Sequence, residues 1–326
     1  MSQYPFSTRA YGPNAKGSTL TWEDLDNSLL FLSESINELN FTPLSGSNYV
    51  FVEANGTPTQ NGLALSASYV QAKNSSPSST NRIAVLAGPG KYTFASNFTL
   101  DTQYIDVVSL TGECDVLVTG SGTIIVSAND AYVRGIDVDV KNFTITASLP
   151  LLKIKNCKGG DYSFGGYPPP VVGSPAAPGY TIGSTFIDCE GGDYSFAGNG
   201  SAYGSFTNCV GGNFSFGNYC DGTFINCTAG NYSFAYSADI EGGKFQNCTA
   251  GDYSFASIGS IGSLQTKAIL NNCVGGLDSF AQGNAPITST LIGCILTSGS
   301  FNTLNIGSGG QLIACANGDG SNITYP

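Results

Sequence analysis

The stretch CEGGDYSFAGNGSAYGSFTNCVGGNFSFGNYCDGTFINCTAGNYSF (189–234) contains one phrase three times, and that repetition decides the fold. The phrase is Cys, a variable residue, Gly-Gly or Ala-Gly, Asp or Asn, an aromatic residue, Ser and Phe. Working outward, the same frame runs through Cys157, Cys189, Cys209, Cys227, Cys248, Cys273, Cys294 and Cys315, separated by 32, 20, 18, 21, 25, 21 and 21 residues. Three positions before each cysteine stands a large apolar residue: Ile154, Phe186, Phe206, Phe224, Phe245, Leu270, Leu291 or Leu312. Seven positions after each of the first seven stands Phe164, Phe196, Phe216, Phe234, Phe255, Phe280 or Phe301, always preceded by serine. A unit of this length, with length variation confined to one side of a constant core, marks stacked supersecondary units whose loops point outward.

The unit predicts an all-β fold, a single-chain right-handed parallel β-helix of about 20–21 residues per rung. Regular Cys/Phe rungs are expected over 154–326, degenerate rungs from 83 to about 150. The structural ladder consists of the Cys and Phe columns. Each cysteine is expected as a small buried hydrophobe with a free thiol. Cys220 lies outside the column; a Cys220–Cys227 bridge is open to it, and a free thiol is the preferred reading. Tyr162 and Phe164 are two apart, so strand alternation predicts an interior tyrosine column with Ser163 pointing the other way. A bend at Asn-Cys is expected to turn both inward, stacking the amides of Asn156, Asn208, Asn226, Asn247 and Asn272, with Asp188, Gly293 and Ala314 as interruptions.

Composition narrows the function classes. Charged residues are 11% and hydrophobic residues 41%, with 43 Gly, 19 Phe and 17 Tyr, which is too apolar for disorder and suits short strands and turns. The net charge is −11, and from Asp161 onward ten carboxylates face two cations, Lys244 and Lys267. Such a surface repels nucleic acid. The chain has no histidine, so neither a Ser-His-Asp arrangement nor a zinc site is expected, and no metal or cofactor is called for. MSQYPFSTRAYGP lacks a basic region leading into an apolar run, so no export signal and no membrane insertion are expected.

Two parts fall outside the repeat. Residues 1–45 contain a helix expected at about 21–39, opened by Thr21 with Glu23, Asp24 and Asp26 in its first turn. Leu25, Leu29, Leu32, Ile36 and Leu39 follow 4-3-4-3 spacing beside Trp22. That seam serves either self-association, three-fold by preference, or docking on a partner, or else it packs on the chain's own β-helix. Residues 46–82 are expected to supply an opening strand and a helix within NGLALSASYVQAKN (61–74), with Leu63, Leu65, Tyr69 and Val70 covering the exposed end. The insertion YPPPVVGSPAAPGY (167–180), with Tyr167, Pro168, Pro169, Pro170, Val171, Val172 and Tyr180, is the candidate receptor-binding loop; its alternative is passive cover. The column Asp161, Asp193, Asn213, Asn231 and Asp252 offers paired carboxylates, but Asp and Asn interchange there, and turn capping is preferred.

Pro89, Gly90 and Tyr92, then Phe98 and Leu100, then Val107 to Gly112 follow an order that resembles the opening of pectate-lyase-like right-handed β-helices, including many phage tail spikes. The resemblance covers about residues 48–326. KGSTLTWEDLDNSLLFL also resembles a segment near the N-termini of phage tail-fibre proteins, through Lys16, Gly17, Leu20, Thr21, Asp26, Asn27 and Leu32. These resemblances imply a structural virion protein assembled in the host cytoplasm, a tail or head fibre. It would be joined to other virion proteins and to two further copies through residues 1–45, and would touch a host-surface glycan or protein. A tail-spike-type depolymerase or lyase acting on a neutral glycan, and a bacterial surface adhesin, remain open, because this fold hosts unrelated functions.

Overall fold

Residues 83–145 alternate short β-branched or aromatic runs with turns, and they form three successive strand triplets: Ile83–Ala87, Gly90–Phe94 and Phe98–Leu100; Ile105–Ser109, Val116–Gly120 and Ile124–Val126; Tyr132–Arg134, Ile136–Val138 and Phe143–Ile145. The first members pair with one another, as do the second and the third, all in parallel. The computed structural model describes residues 48–122, 124–138, 143–145, 149, 151–165, 184–198, 200–217, 219–235, 240, 242–256, 261, 268–280, 287–298, 306 and 310–317. Among them the protein is all-β apart from one helix, Pro58–Asn74.

The first line of pairing becomes a twelve-stranded parallel sheet. It begins with Tyr49–Val52 and continues through the first strand of each triplet to Lys153–Lys155, Thr185–Ile187, Ser205–Thr207, Thr223–Ile225, Lys244–Gln246, Ile269–Asn271, Thr290–Ile292 and Gln311–Ile313. The register is one repeat per strand: Phe186 faces Phe206, then Phe224, Phe245, Leu270, Leu291 and Leu312. The second line continues as bridges from Asp137 through Lys158, Glu190, Val210, Thr228 and Thr249 to Val274. A third links Ile240, Ile261, Ile287 and Ile306.

This register stacks like on like. Phe164, Phe196, Phe216, Phe234, Phe255 and Phe280 are fully buried, with successive centroids 4.7–5.0 Å apart. Phe186, Phe206, Phe224 and Phe245 form a second stack that meets the first edge-on. Both aromatic geometries are the favourable ones. All eight column cysteines are buried. Phe301 lies outside the described residues.

The serine before each phenylalanine is buried too, rather than pointing away. Its hydroxyl replaces a ladder carbonyl: Ser215 N–H donates to Ser233 Oγ, Ser233 N–H to Ser254 Oγ and Ser254 N–H to Ser279 Oγ, at 3.1–3.2 Å. The second glycine of each Gly-Gly or Ala-Gly pair has a steric cause. A Cβ on Gly192, Gly212, Gly230, Gly251 or Gly276 would overlap the Asp or Asn side-chain oxygen of the preceding repeat. A Cβ at the first position would meet the serine four residues on rather than that oxygen, and the chain carries Ala229 and Ala250 there.

Two side-chain directions differ from strand alternation. Asn208, Asn226, Asn247 and Asn272 are exposed, not interior. The residue before each cysteine is left-handed, φ 48–60° from Asn156 to Ala314, so the chain turns a corner there and only the cysteine goes inside. Asn and Asp tolerate this conformation and glycine is free in it, which accounts for Asp188 and Gly293 in the same column. The amide ladder forms outside, with Asn226 Nδ2 donating to Asn208 Oδ1 and Asn247 Nδ2 to Asn226 Oδ1, both at 3.1 Å. Asp188 continues it by accepting from Asn208 Nδ2 at 2.9 Å. Likewise Tyr162, Tyr194, Tyr232 and Tyr253 are left-handed (φ 55–60°) and half-buried, so the tyrosine column lies at the surface.

The helix is capped by Thr57 and Gln60 in a capping box with Pro58 in its first turn. Leu65, Tyr69 and Ala72 face the first strands, and Tyr69 meets the Phe98 ring edge at 5.6 Å. Gly62 sits so close to the Thr93 carbonyl that any Cβ would overlap it. Leu63 and Val70, expected to cover the strands, are 67% and 54% exposed, because the buried stripe follows Asn61, Gly62, Leu65, Tyr69 and Ala72. No described helix is long and apolar enough to cross a membrane.

Ser233→Ala removes the acceptor for a buried N–H and is expected to lower unfolding stability by about 1–3 kcal/mol. Gly212→Ala, by overpacking, is expected to lower it by a similar ~1–3 kcal/mol. Denaturant unfolding followed by circular dichroism measures both, and a loss near zero for either contradicts the role given to it.

Candidate functional site

The feature most like a binding surface is the turn that follows the Gly-Gly pair. Asp161, Asp193, Asn213, Asn231 and Asp252 lie at its surface beside Tyr162, Tyr194, Phe214, Tyr232 and Tyr253. Each acidic or amide side chain reaches forward one repeat. Asp161 Oδ1 accepts from Asp193 N–H at 2.9 Å, Asp193 Oδ1 from Asn213 N–H at 2.7 Å, and Asn213 Oδ1 from Asn231 N–H at 2.9 Å. Asn231 and Asp252 continue the line to the Asp252 and Leu277 amides at 2.8 and 2.7 Å. Only the Oδ1 position is used, so a carboxylate and an amide serve equally, and the turn-capping reading describes these residues.

The five rings stack nearly parallel, with centroids 4.7–5.3 Å apart and interplanar angles of 3–17°. Their faces are therefore consumed by one another. What reaches solvent is a row of ring edges and phenol hydroxyls. A sugar stacks on an aromatic face, so this strip offers hydrogen bonds to a passing ligand and no stacking platform between Tyr162 and Tyr253.

A second cluster carried no signal in the sequence. Arg82 Nε and Nη2 donate to the two oxygens of Asp106 at 3.1 and 2.6 Å, and Nη1 donates to Asp130 at 2.7 Å. Tyr132 N–H also donates to Asp106 Oδ1 at 2.8 Å, and the Tyr104 ring lies 5.9 Å from the guanidinium. Asp106 is fully buried. Burial alone would lower the Arg82 pKa, and the two carboxylates overcome it and hold it above its ordinary value. These acids flank the Arg82 guanidinium and are held by it, so they act as a lock across three successive repeats. Their partners lie 24 and 48 residues away, beyond the reach of any local pattern.

The ten cysteines are free thiols, Cys220 and Cys227 included. Burial pushes the Cys157 thiol up to about 12 and the half-buried Cys114 thiol up to about 11. Burial also raises Cys209 and Cys220 well above the ordinary value. The thiolate is the reactive form, so these four are packing residues rather than nucleophiles. Among the described residues no group of three or more Cys, Asp or Glu is placed to hold a metal ion.

Two sets of candidates lie outside the described residues: the loop residues Tyr167, Pro168, Pro169, Pro170, Val171, Val172 and Tyr180, and the heptad residues Trp22, Leu25, Leu29, Leu32, Ile36 and Leu39. Comparison with family models, curated proteins and solved structures finds no match.

Asp106→Ala leaves the Arg82 guanidinium with one carboxylate in a half-buried site and is expected to cost about 3–5 kcal/mol; an unchanged melting curve would contradict the lock. In thiol titration at pH 8, the native chain is expected to expose at most Cys114, and the denatured chain all ten. Rapid labelling of several native thiols would contradict the buried column.

Proposed function

We propose that this chain is a structural virion protein, a tail or head fibre or related appendage. Its repeats wind as a right-handed parallel β-helix, and it attaches through residues 1–45. The observation that carries this reading is the register of the long sheet, in which each strand pairs with its own counterpart one repeat away over twelve strands. Three parallel lines of pairing per repeat are what a β-helical shaft requires. Side chains that would draw attention in an enzyme are committed elsewhere: the thiols to packing, the serines to buried backbone amides and the turn carboxylates to the next repeat. A stack held by this many repeating bonds makes a stiff, elongated surface suited to host contact. We assign the receptor contact to the insertion 167–180.

Incubation of the full chain with purified host capsular polysaccharide is expected to release no oligosaccharide, and antibody against residues 200–256 is expected to decorate an appendage in electron micrographs of particles. Release of oligosaccharide would replace this reading with the depolymerase one. Particles that stay undecorated while the antibody binds free protein would remove the virion assignment.

A further inference from the structure

The outer side of the twelve-stranded sheet changes character along its length. On Ile105–Ser109 and Tyr132–Arg134 its outward residues are hidden, Asp106, Val108, Tyr132 and Arg134 being 0, 4, 6 and 6% exposed, whereas Tyr49 and Phe51 on the first strand are 43 and 47% exposed. The chain itself lies on them, with Arg82 against Asp106 and the backbone of Gly112 against the Arg134 guanidinium. From Lys153–Lys155 onward the same side is open, and its outward residues are exposed or half-buried.

The open part is a flat strip with an unusual charge pattern for an acidic chain. Each of its eight strands presents two outward residues. They include Thr185 and Ile187, Thr223 and Ile225, and Thr290 and Ile292. Lys153, Lys155 and Lys244 are the only charges in these two columns, and neither contains a carboxylate. The carboxylates Asp161, Asp193 and Asp252 project instead from the turn ladder, and Asp188 and Asp221 border the strip. Two copies at a net charge of −11 each repel one another, and this strip is where they approach at least electrostatic cost. Depletion of carboxylates is also a property of interface cores.

We propose that this strip is an interface between two copies of the chain, packed face to face about a two-fold axis that runs along the strands. Lys153 and Lys155 select that orientation, since Lys244 lies within one strand spacing of its counterpart in either. With the repeats running in opposite directions, Lys153 of one copy meets the Gln311 strand of the other, and Lys244 meets the Thr223 strand. Thr185 then faces Thr290, and Ile187 faces Ile292. With the repeats running in the same direction, Lys153 and Lys155 of both copies would crowd at one level, where like charges repel. Eight strands at a spacing of about 4.8 Å give a strip roughly 34 Å long. At about 10 Å wide it buries roughly 700 Å² in total, the size of a weak contact, so the association depends on concentration. This interface goes beyond the appendage reading and does not rest on it.

The test uses the full chain and short bis-maleimide cross-linking of Thr185→Cys and Thr290→Cys, alone and mixed, with the wild type as blank for Cys114. Equivalent positions in an opposed pair lie about 24 Å apart, five strand spacings, whereas Thr185 and Thr290 adjoin. The mixture is therefore expected to form a covalent dimer, and each variant alone is not. Sedimentation across a concentration series is expected to show a monomer–dimer equilibrium. A cross-link in Thr185→Cys alone would overturn the opposed arrangement and indicate parallel copies, as a trimer through 21–39 would produce. A wild-type monomer at every concentration, or no cross-link in the mixture, would overturn the second copy as occupant.

Discussion

In a parallel sheet whose strands each pair with their own equivalent one repeat later, every side chain sits about 4.8 Å from a copy of itself. That single constraint governs which residue types this chain can use. Phenylalanine satisfies it by ring stacking, cysteine by being small and apolar, asparagine by an amide that both donates and accepts, and serine by a hydroxyl that accepts a buried amide proton. A residue type that repels its own copy is excluded from such a column, and charge is accordingly scarce in the stacked core. Where aspartate does stack, in the turn ladder, amides at Asn213 and Asn231 dilute the charge and keep the oxygen that the next repeat needs.

The same constraint explains the backbone. Left-handed residues are costly for anything but glycine, on the order of 1–2 kcal/mol each. Here they recur at two or more places in most repeats, and at Tyr and Phe as well as Asn. The cost recurs because the compensation recurs. Each left-handed tyrosine of the turn ladder gains a stacked neighbour, and the backbone around it is bonded to the adjacent repeats, as in Tyr194 N–H to the Asn213 carbonyl at 2.8 Å and Phe196 N–H to the Ser163 carbonyl at 3.1 Å. An isolated unit would have neither, so local conformation and stacking are mutually dependent.

Function is displaced by this economy to what does not repeat. The aromatic strip on the turn resembles a ligand platform in composition, but its ring faces are occupied by their neighbours. The open sheet face has the opposite character: little in its sequence attracts notice, and its distinguishing property is the absence of carboxylates from a chain rich in them. The Arg82 cluster, which does contain a paired-acid arrangement, joins strands instead of opening to a substrate.

The sequence by itself determined the frame: which residues form columns, where the repeats begin, and that Cys, Phe and the apolar position before Cys lie inside. Periodicity carries that information because the stacking partners of each residue are one repeat away. The sequence also located the bend at Asn-Cys. Only the tertiary structure decided which way the side chains around each corner point. Alternation holds for extended backbone, and one left-handed residue shifts every direction after it, so Asn and Tyr lie outside and Ser inside. The Arg82–Asp106–Asp130 lock and the contrast between the covered and open sheet face were likewise invisible in the sequence, because both join residues that come together only when separate repeats stack.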